Sequence, residues 1–198
     1  MKIVIYGGSF DPIHNGHKAI IAELYNKFDK VLIIPAKYKN NMMFNDNMRL
    51  LFIQEYINMC YSNCNKIEVI TDELADETNE LSKTYNMIKH IINKLNVNIN
   101  NDNNNKNKLN INNDNNKNNN FELYLCIGYD QYENLKNWYR YQDLLKLVKL
   151  VVINRGDSKN ENLYSNLNIE LLYLTIHGYE DVSSTKIREQ IHNYILLN

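Results

Sequence analysis

Short apolar runs alternate along this chain with segments in which hydrophobic residues recur at helical spacing. The runs are continuously apolar and rich in β-branched residues, which is typical of buried strands. Six strands are predicted: Lys2 to Tyr6, Lys30 to Pro35, Lys66 to Thr71, Glu122 to Ile127, Lys149 to Asn154 and Ile169 to Leu174.

The segments between the runs carry apolar residues on one face, as amphipathic helices do. The predicted helices are Gly16 to Lys27, one capped by Asn45 or Asp46 that runs to about Tyr61, about Leu81 to Leu95, one or two short helices within Tyr129 to Leu147, and a last one capped by Ser183 or Ser184 that ends near Leu196. The alternation predicts an α/β fold: a Rossmann-like, doubly wound parallel sheet of five to six strands with helices on both faces. Ligands of such sheets bind beyond the carboxyl ends of the strands, at the switch point.

One segment breaks the pattern, because Asn96 to Asn120 is mostly asparagine with Lys, Asp and a few aliphatic residues. Such a composition cannot bury enough apolar surface to offset the entropy of ordering the chain. We expect a disordered insertion in a surface loop of a single domain that spans residues 1–198. Long insertions of this kind cost little in loop-closure entropy.

Composition narrows the class of protein. A net charge of -1 creates no overall field that would recruit nucleic acid or a membrane surface. Three cysteines form no disulfide framework and suit a reducing compartment, so we expect a cytoplasmic protein. Cys60 and Cys64 lie one helical turn apart, but no second pair completes a zinc site, and packing is the favoured role.

The stretch GGSFDPIHNGH follows the first strand and carries the most specific chemistry. Gly7 and Gly8 leave room for a ligand to approach the backbone. The helix that starts near Asn15 offers unpaired N–H groups and partial positive charge, which suit a phosphate. His14 and His17 lie three residues apart on one side of its first turn, so both imidazoles can donate to one phosphate chain.

Two other interpretations of this stretch stay open at this point: a pair of surface histidines, or half of a metal site. No carboxylate or third histidine nearby completes a metal site. In the phosphate interpretation, Asn15 caps the helix and Gly16 lets the ligand lie against the backbone.

Four segments together resemble the nucleotidylyltransferase superfamily with its (H/T)-x-G-H signature, and most closely its bacterial-type nicotinate mononucleotide adenylyltransferases. They are GGSFDPIHNGH, the G-x-D-x-x-x-x-L-x-x-W pattern within Ile127 to Leu145, INRGD after the fifth strand, and VSSTKIR from Val182 to Arg188. The resemblance covers nearly the whole chain except the Asn-rich insertion. Two segments depart from the family: the loop PAKYKNNMMFNDNMR lacks the usual histidine, and TYNMIK matches the usual helix start only at Thr84 and Tyr85.

The resemblance implies transfer of the adenylyl group of ATP to nicotinate mononucleotide, giving deamido-NAD and pyrophosphate, with Mg²⁺ bound to the ATP. The 5′-phosphate of the mononucleotide attacks the α-phosphorus in line, so the enzyme supplies no nucleophile and acts by positioning and charge stabilisation. We expect neither nucleic acid nor a membrane as partner, and the sequence leaves the oligomeric state open.

The resemblance also implies site residues. Catalytic roles fall to His14, His17 and Arg188. The ATP contacts are Gly7, Gly8, Ser9, Phe10, His14, His17, Gly128, Asp130, Ser183, Ser184, Thr185 and Arg188. The mononucleotide contacts are Lys39, Thr84, Tyr85 and Trp138.

Four of these residues have a plainer alternative role. Arg188 could form a surface ion pair with Glu189. Gly128 and Asp130 could be a turn glycine and a helix cap, and Trp138 could belong to the core rather than stack on the pyridine ring.

Rival activities are those of a pantetheine-phosphate adenylyltransferase, which usually has threonine in place of His14, and of a nicotinamide-preferring adenylyltransferase. A cytidylyltransferase is expected to carry another C-terminal signature. An inactive nucleotide-binding module is the non-enzyme alternative.

Overall fold

The structure, a computed structural model, describes residues 1–37, 39, 42–62, 64–102, 121–155, 163–164, 170–179 and 182–197. Its strands are β1 (Lys2–Gly8), β2 (Lys30–Pro35), β3 (Ile67–Val69), β4 (Glu122–Gly128), β5 (Lys149–Arg155) and β6 (Leu171–Ile176). Its α-helices are α1 (Asn15–Lys27), α2 (Asp46–Tyr61), α3 (Asp72–Ala75), α4 (Thr84–Asp102), α5 (Tyr129–Glu133), α6 (Tyr141–Leu147) and α7 (Ser184–Leu197), and a 3₁₀ helix covers Leu135–Asn137.

All six strands are parallel and form one sheet in the order β3-β2-β1-β4-β5-β6. The chain therefore winds outward from β1 to β3 and then returns to the other side of β1 with β4. This arrangement places a crevice between the carboxyl ends of β1 and β4, where doubly wound sheets bind ligands. The predicted fold class is confirmed.

Two hydrophobic cores cover the two faces of the sheet. Ile3 and Ile5 of β1 pack with residues of α4, α5 and α6, whereas Val4 and Tyr6 pack with residues of α1 and α2. This follows from strand geometry, in which successive side chains point to opposite faces. Because both faces are covered, the central strands read as continuous apolar runs.

The element boundaries differ from the prediction in the sheet and in the helices. Strand β3 is shorter than predicted, and β6 begins and ends two residues later than predicted. The sequence pattern missed α3, and α4 begins at Thr84 rather than near Leu81. The expectation that Asn96 begins the disordered insertion was wrong for residues 96–102, whose backbone continues α4. A helix that already packs on the core gains a hydrogen bond for each residue it adds, so it extends beyond its apolar face. The rest of the predicted insertion lies outside the described residues, as do Gly156 and Asp157 of the INRGD segment.

The cysteines lie in three environments. Cys126 is buried in β4, and burial raises the pKa of its thiol. Cys60 is exposed, so the expected packing role is wrong for this residue, which lies on the outer side of α2. Cys64 is partly buried, and its Sγ lies 3.4 Å from the Tyr25 hydroxyl.

Candidate active site

A cavity of about 510 Å³ opens at the switch point of the sheet. The carboxyl ends of β1 and β4 form its floor, and the start of α1 closes one side. Nine predicted site residues line it: Gly7, Gly8, Ser9, His17, Lys39, Thr84, Gly128, Asp130 and Trp138. The tertiary structure therefore brings the predicted phosphate side and the predicted pyridine side into one space.

His14 and His17 form a reciprocal pair at the start of α1. The Nδ1 atom of His14 accepts the backbone N–H of His17 at 3.4 Å, and Nδ1 of His17 accepts that of His14 at 3.3 Å. The rings stack with centroids 3.8 Å apart. A neutral imidazole that accepts at Nδ1 carries its proton at Nε2. Both side chains are thus set as Nε2–H donors, the form that a phosphate requires.

This pairing corrects two expectations about the same helix start. His14, rather than Asn15, is the N-cap residue, because its ring occupies the place that a short polar side chain usually fills. Gly16 is buried, and a Cβ there would lie 3.1 Å from Cε1 and Nδ1 of His14. Gly16 therefore makes room for the His14 ring rather than for a ligand.

The ring of Phe10 packs against the ring of His17. The Phe10 side chain is fully buried, and its ring lies 4.9 Å from that of His17 and 5.4 Å from that of Tyr6. Because the ring is buried, the predicted ATP contact of Phe10 falls to its backbone, and it stays a prediction. The residue adopts a φ of 45°, which turns the chain sharply between the glycines and α1.

Gly128 and Asp130 stand at the end of β4, opposite Gly7. A Cβ on Gly128 would lie 2.5 Å from Oδ1 of Asp130, so any side chain there would collide with the carboxylate. The plainer alternatives find no support, since Gly128 has an ordinary φ of -69° and α5 has no side-chain cap. Their nucleotide contacts stay a prediction.

Arg188 is paired with Asp11, which the sequence did not single out. Its Nη1 donates to the Asp11 carbonyl at 2.8 Å and lies 3.4 Å from the carboxylate. Asp11 is buried and also accepts the backbone N–H groups of Met43 and Phe44, both at 2.9 Å. The alternative partner Glu189 is not the one in the structure. Asp11 therefore ties α7 and the loop before α2 to the β1–α1 turn.

The hydroxyls at the start of α7 have structural partners as well. Ser183 caps the helix by accepting the Lys186 N–H at 3.2 Å, and Ser184 donates to the Pro12 carbonyl at 3.2 Å. Thr185 accepts from Nη2 of Arg188 at 3.1 Å. These contacts hold the α7 start beside the His14 turn, although none of these residues lines the cavity. Their ATP contacts, and the catalytic role of Arg188, stay predictions.

The side of the cavity predicted to bind the pyridine ring is built by Thr84, Trp138 and Lys39. Trp138 is half-buried: it packs against the core and also faces the cavity, so it can serve both of the roles considered for it. Tyr85 is buried in the core, with Arg140 over its ring at 4.5 Å, and it does not line the cavity. The contact predicted for Tyr85 uses the N–H groups at this helix start rather than the ring, so it stays a prediction. The Tyr85 backbone N–H, in the first turn of α4, is one of the four that lack an acceptor within the helix.

Two further residues near the cavity escaped the sequence analysis. Arg49 is fully buried, and its guanidinium donates to the carbonyls of Ser9 and Ala36, the latter at 2.6 Å, and to Asp46. It thereby joins the ends of β1 and β2 behind the cavity wall. A polar residue in the first turn of an amphipathic helix gives no sequence signal for such a role.

Glu73, in α3, is one of the residues that line the cavity. Its Oε1 accepts the Lys37 N–H at 3.1 Å. Burial raises the pKa of Glu73, and that N–H together with the charges of Lys39 and Arg49 opposes the rise. The residue was missed because α3 is too short to show a periodic pattern.

Among the described residues, no three His, Cys, Asp or Glu side chains come together in a way that could hold a metal ion. Nor does the described part of the chain contain a helix that is long and apolar enough to span a bilayer.

The sheet order, the histidine pair and the cavity define a nucleotide-binding transferase site, and sequence comparison agrees. The chain belongs to the Cytidylyltransferase-like family, whose sequence model matches residues 5–190. This confirms the family predicted from the four segments.

Within this family, the chain is 31% identical to a probable nicotinate-nucleotide adenylyltransferase of Fusobacterium nucleatum, over 98% of this chain and 89% of the relative. It is also 31% identical to a protein of the same description from Campylobacter fetus, over 96% and 87% of the two chains. The fold is similar to that of the Plasmodium falciparum nicotinic acid mononucleotide adenylyltransferase solved with NaAD, with a TM-score of 0.63 and 21% identity over 95% of this chain and 82% of that chain.

Proposed function

We propose that this protein transfers the adenylyl group of ATP to nicotinate mononucleotide, releasing pyrophosphate and forming deamido-NAD. The observation that carries the proposal is the shared cavity, in which His17 and the β1 glycines face the same space as Trp138 and Thr84. One half offers phosphate donors, and the other offers an aromatic face and a helix start. The relatives that are 31% identical and described as probable nicotinate-nucleotide adenylyltransferases support the same reaction.

The chemistry requires positioning rather than an enzyme nucleophile. An oxygen of the mononucleotide 5′-phosphate forms a new bond to the α-phosphorus, and the bond between that phosphorus and the bridging oxygen breaks. Pyrophosphate leaves with the electron pair. The Nε2–H groups of His14 and His17 donate to the α-phosphate oxygens, where charge builds up in the transition state. Arg188 and the start of α7 donate to the outer phosphates.

Mg²⁺ fits this donor set as a companion of ATP rather than as a resident ion. The carboxylates that line the cavity, Glu73 and Asp130, come from separate elements, and Mg²⁺ commonly keeps its waters and binds substrate phosphates. The carboxylate of Asp11, which is buried nearby, already accepts two backbone N–H groups and faces Arg188 Nη1 at 3.4 Å. When bound, the ion neutralises charge on the triphosphate and its leaving group.

A coupled assay of pyrophosphate release tests the proposal. The purified protein is given Mg·ATP with nicotinate mononucleotide, nicotinamide mononucleotide or phosphopantetheine, and the product is identified by mass. We expect turnover with nicotinate mononucleotide and a product with the mass of deamido-NAD. Turnover only with phosphopantetheine would transfer the assignment to that rival activity. Nucleotide binding without pyrophosphate release from any acceptor would indicate an inactive binding module.

A further inference from the structure

We propose that Glu73 is a specificity-determining residue whose carboxylate accepts hydrogen bonds from the ribose hydroxyls of the mononucleotide. The proposal rests on the proposed function and adds a recognition role for a residue outside all four family-like segments. Three observations carry it: the position of the side chain in the cavity, its anchoring, and the charges around it.

The first observation is the position of Glu73 in the cavity. Glu73 belongs to α3, which follows β3 at the carboxyl edge of the sheet. It lines the cavity together with Lys39, Ser82 and Thr84, on the side assigned to the mononucleotide. Gly128 and Asp130, on the side assigned to the adenosine, come from β4 and α5, beyond β1 and β2 in the sheet order.

The carboxylate is also anchored. Its Oε1 accepts the Lys37 N–H at 3.1 Å, which fixes the side chain against the end of β2. A carboxylate has two oxygens and about four acceptor positions, so one backbone bond leaves acceptor capacity for a ligand. An anchored carboxylate loses little side-chain entropy when it binds.

Two cationic side chains, Lys39 and Arg49, lie near the Glu73 carboxyl group and lower its pKa, although burial raises the pKa overall. The acceptor oxygens of this carboxyl group need hydrogen-bond donors. Nicotinate mononucleotide carries an anionic phosphate and an anionic ring carboxylate, which accept, and its donors are the 2′- and 3′-hydroxyls of ribose. The chemistry of the substrate thus matches Glu73 to the ribose, as acidic residues match ribose hydroxyls in other doubly wound folds.

The test is a cycle that combines variants of the protein with analogues of the substrate. Glu73→Ala removes the acceptor, and Glu73→Gln keeps one acceptor oxygen for Lys37 while removing the charge. Each is assayed at saturating Mg·ATP with nicotinate mononucleotide and with its 2′-deoxy and 3′-deoxy forms. The exposed Glu55→Gln on α2 is the matched control, and melting temperatures verify folding.

For Glu73→Ala, we expect kcat/KM for the ribonucleotide to fall about 10- to 100-fold, as for loss of a hydrogen bond to a charged group. The loss should shrink to about twofold with the deoxy analogue that lacks the bonded hydroxyl. Once the donor is absent, removing its acceptor costs little, because the effects of two interacting groups are not additive. Glu73→Gln should show the same pattern with a smaller loss, and Glu55→Gln should show none.

Equal losses on the ribo and both deoxy substrates would overturn the proposal, as would no loss at all. A parallel series with 2′-deoxy-ATP provides a further check. If the loss caused by Glu73→Ala shrinks with this ATP analogue, the carboxylate binds the adenosine ribose, and the proposal is overturned. In all these outcomes the parent protein still turns over nicotinate mononucleotide. Absence of that parent turnover would count against the proposed function itself.

Discussion

The imidazoles of His14 and His17 hold each other in place through the backbone, since each Nδ1 accepts the partner's N–H. The same two bonds cap α1 and leave both protons at Nε2. One arrangement therefore satisfies two helix-start donors and sets the tautomer of the two imidazoles that are predicted to bind phosphate. A change at either histidine should consequently affect catalysis far more than folding.

His17→Ala should lower kcat about 10²- to 10³-fold, the cost of removing one donor to an oxyanion in the transition state. The protein should still fold, because losing a helix-cap acceptor costs only about 1 kcal/mol. Single-turnover kinetics checks the loss of activity, and a thermal melt checks that the protein is folded. His192→Ala, at an exposed residue, is the control. An unchanged kcat with only a higher KM for ATP would contradict the transition-state role.

Gly16→Ala should lower activity without lowering stability. A Cβ at this position would lie 3.1 Å from the His14 ring, which must shift by a few tenths of an ångström. Small displacements of a positioning group are costly, and we expect kcat to fall about 10-fold. Alanine is a better helix former than glycine, so the melting temperature should hold or rise. A fall in melting temperature with normal kcat would show that Gly16 serves folding alone.

Asp11→Ala should strongly destabilise the protein. The change leaves the partly buried N–H groups of Met43 and Phe44 without their acceptor and removes the buried anion that faces Arg188. Removing one partner of a buried charged cluster costs about 3–5 kcal/mol, which urea denaturation can measure. Glu189→Ala, an exposed carboxylate next to Arg188 in sequence, should stay within about 0.5 kcal/mol of the parent. Similar effects of the two changes would contradict the pairing of Arg188 with Asp11.

Replacing residues 103–119 with a short Gly/Ser linker should leave melting temperature and activity nearly unchanged. The segment joins α4 to the start of β4, where the Glu122 N–H donates to the Met1 carbonyl at 2.8 Å. In a parallel sheet this is the edge opposite the carboxyl ends, and hence opposite the cavity. Loop length contributes only weakly to stability. Loss of soluble folded protein would show that the segment packs on the domain.

Nicotinate mononucleotide should be preferred over nicotinamide mononucleotide by about 10²-fold or more in kcat/KM. A ring carboxylate can accept from the helix-start N–H groups of Thr84 and Tyr85 while the ring rests on Trp138. An amide would present its own N–H₂ to those donors and leave both sides partly unpaired. The comparison is made at saturating Mg·ATP. Equal values would exclude such an acid-binding pocket while leaving the transferase chemistry intact.

The strands, the paired histidines at the start of α1 and the family could be predicted from the sequence because they depend on local order. Continuous β-branched runs specify buried strands, and the two glycines followed by His14 and His17 are close neighbours in the chain. The spacing of three was sufficient to predict that both imidazoles share one side of a helix turn. Ser183 or Ser184 was likewise predicted as a cap from its place before an apolar face, and the structure assigns that role to Ser183.

Only the tertiary structure decided which side chains face the cavity and which support it from behind. Phe10 and Tyr85 belong to the motifs but point into the cores, and Gly16 serves the His14 ring. Asp11 and Glu73 gain their roles through contacts with residues 177 and 36 positions away. Such contacts depend on how β1, β2, β3 and α7 are placed side by side. No local sequence pattern encodes these contacts. A charged residue that is buried or faces the cavity stands in the same kind of local sequence as one that is exposed to solvent.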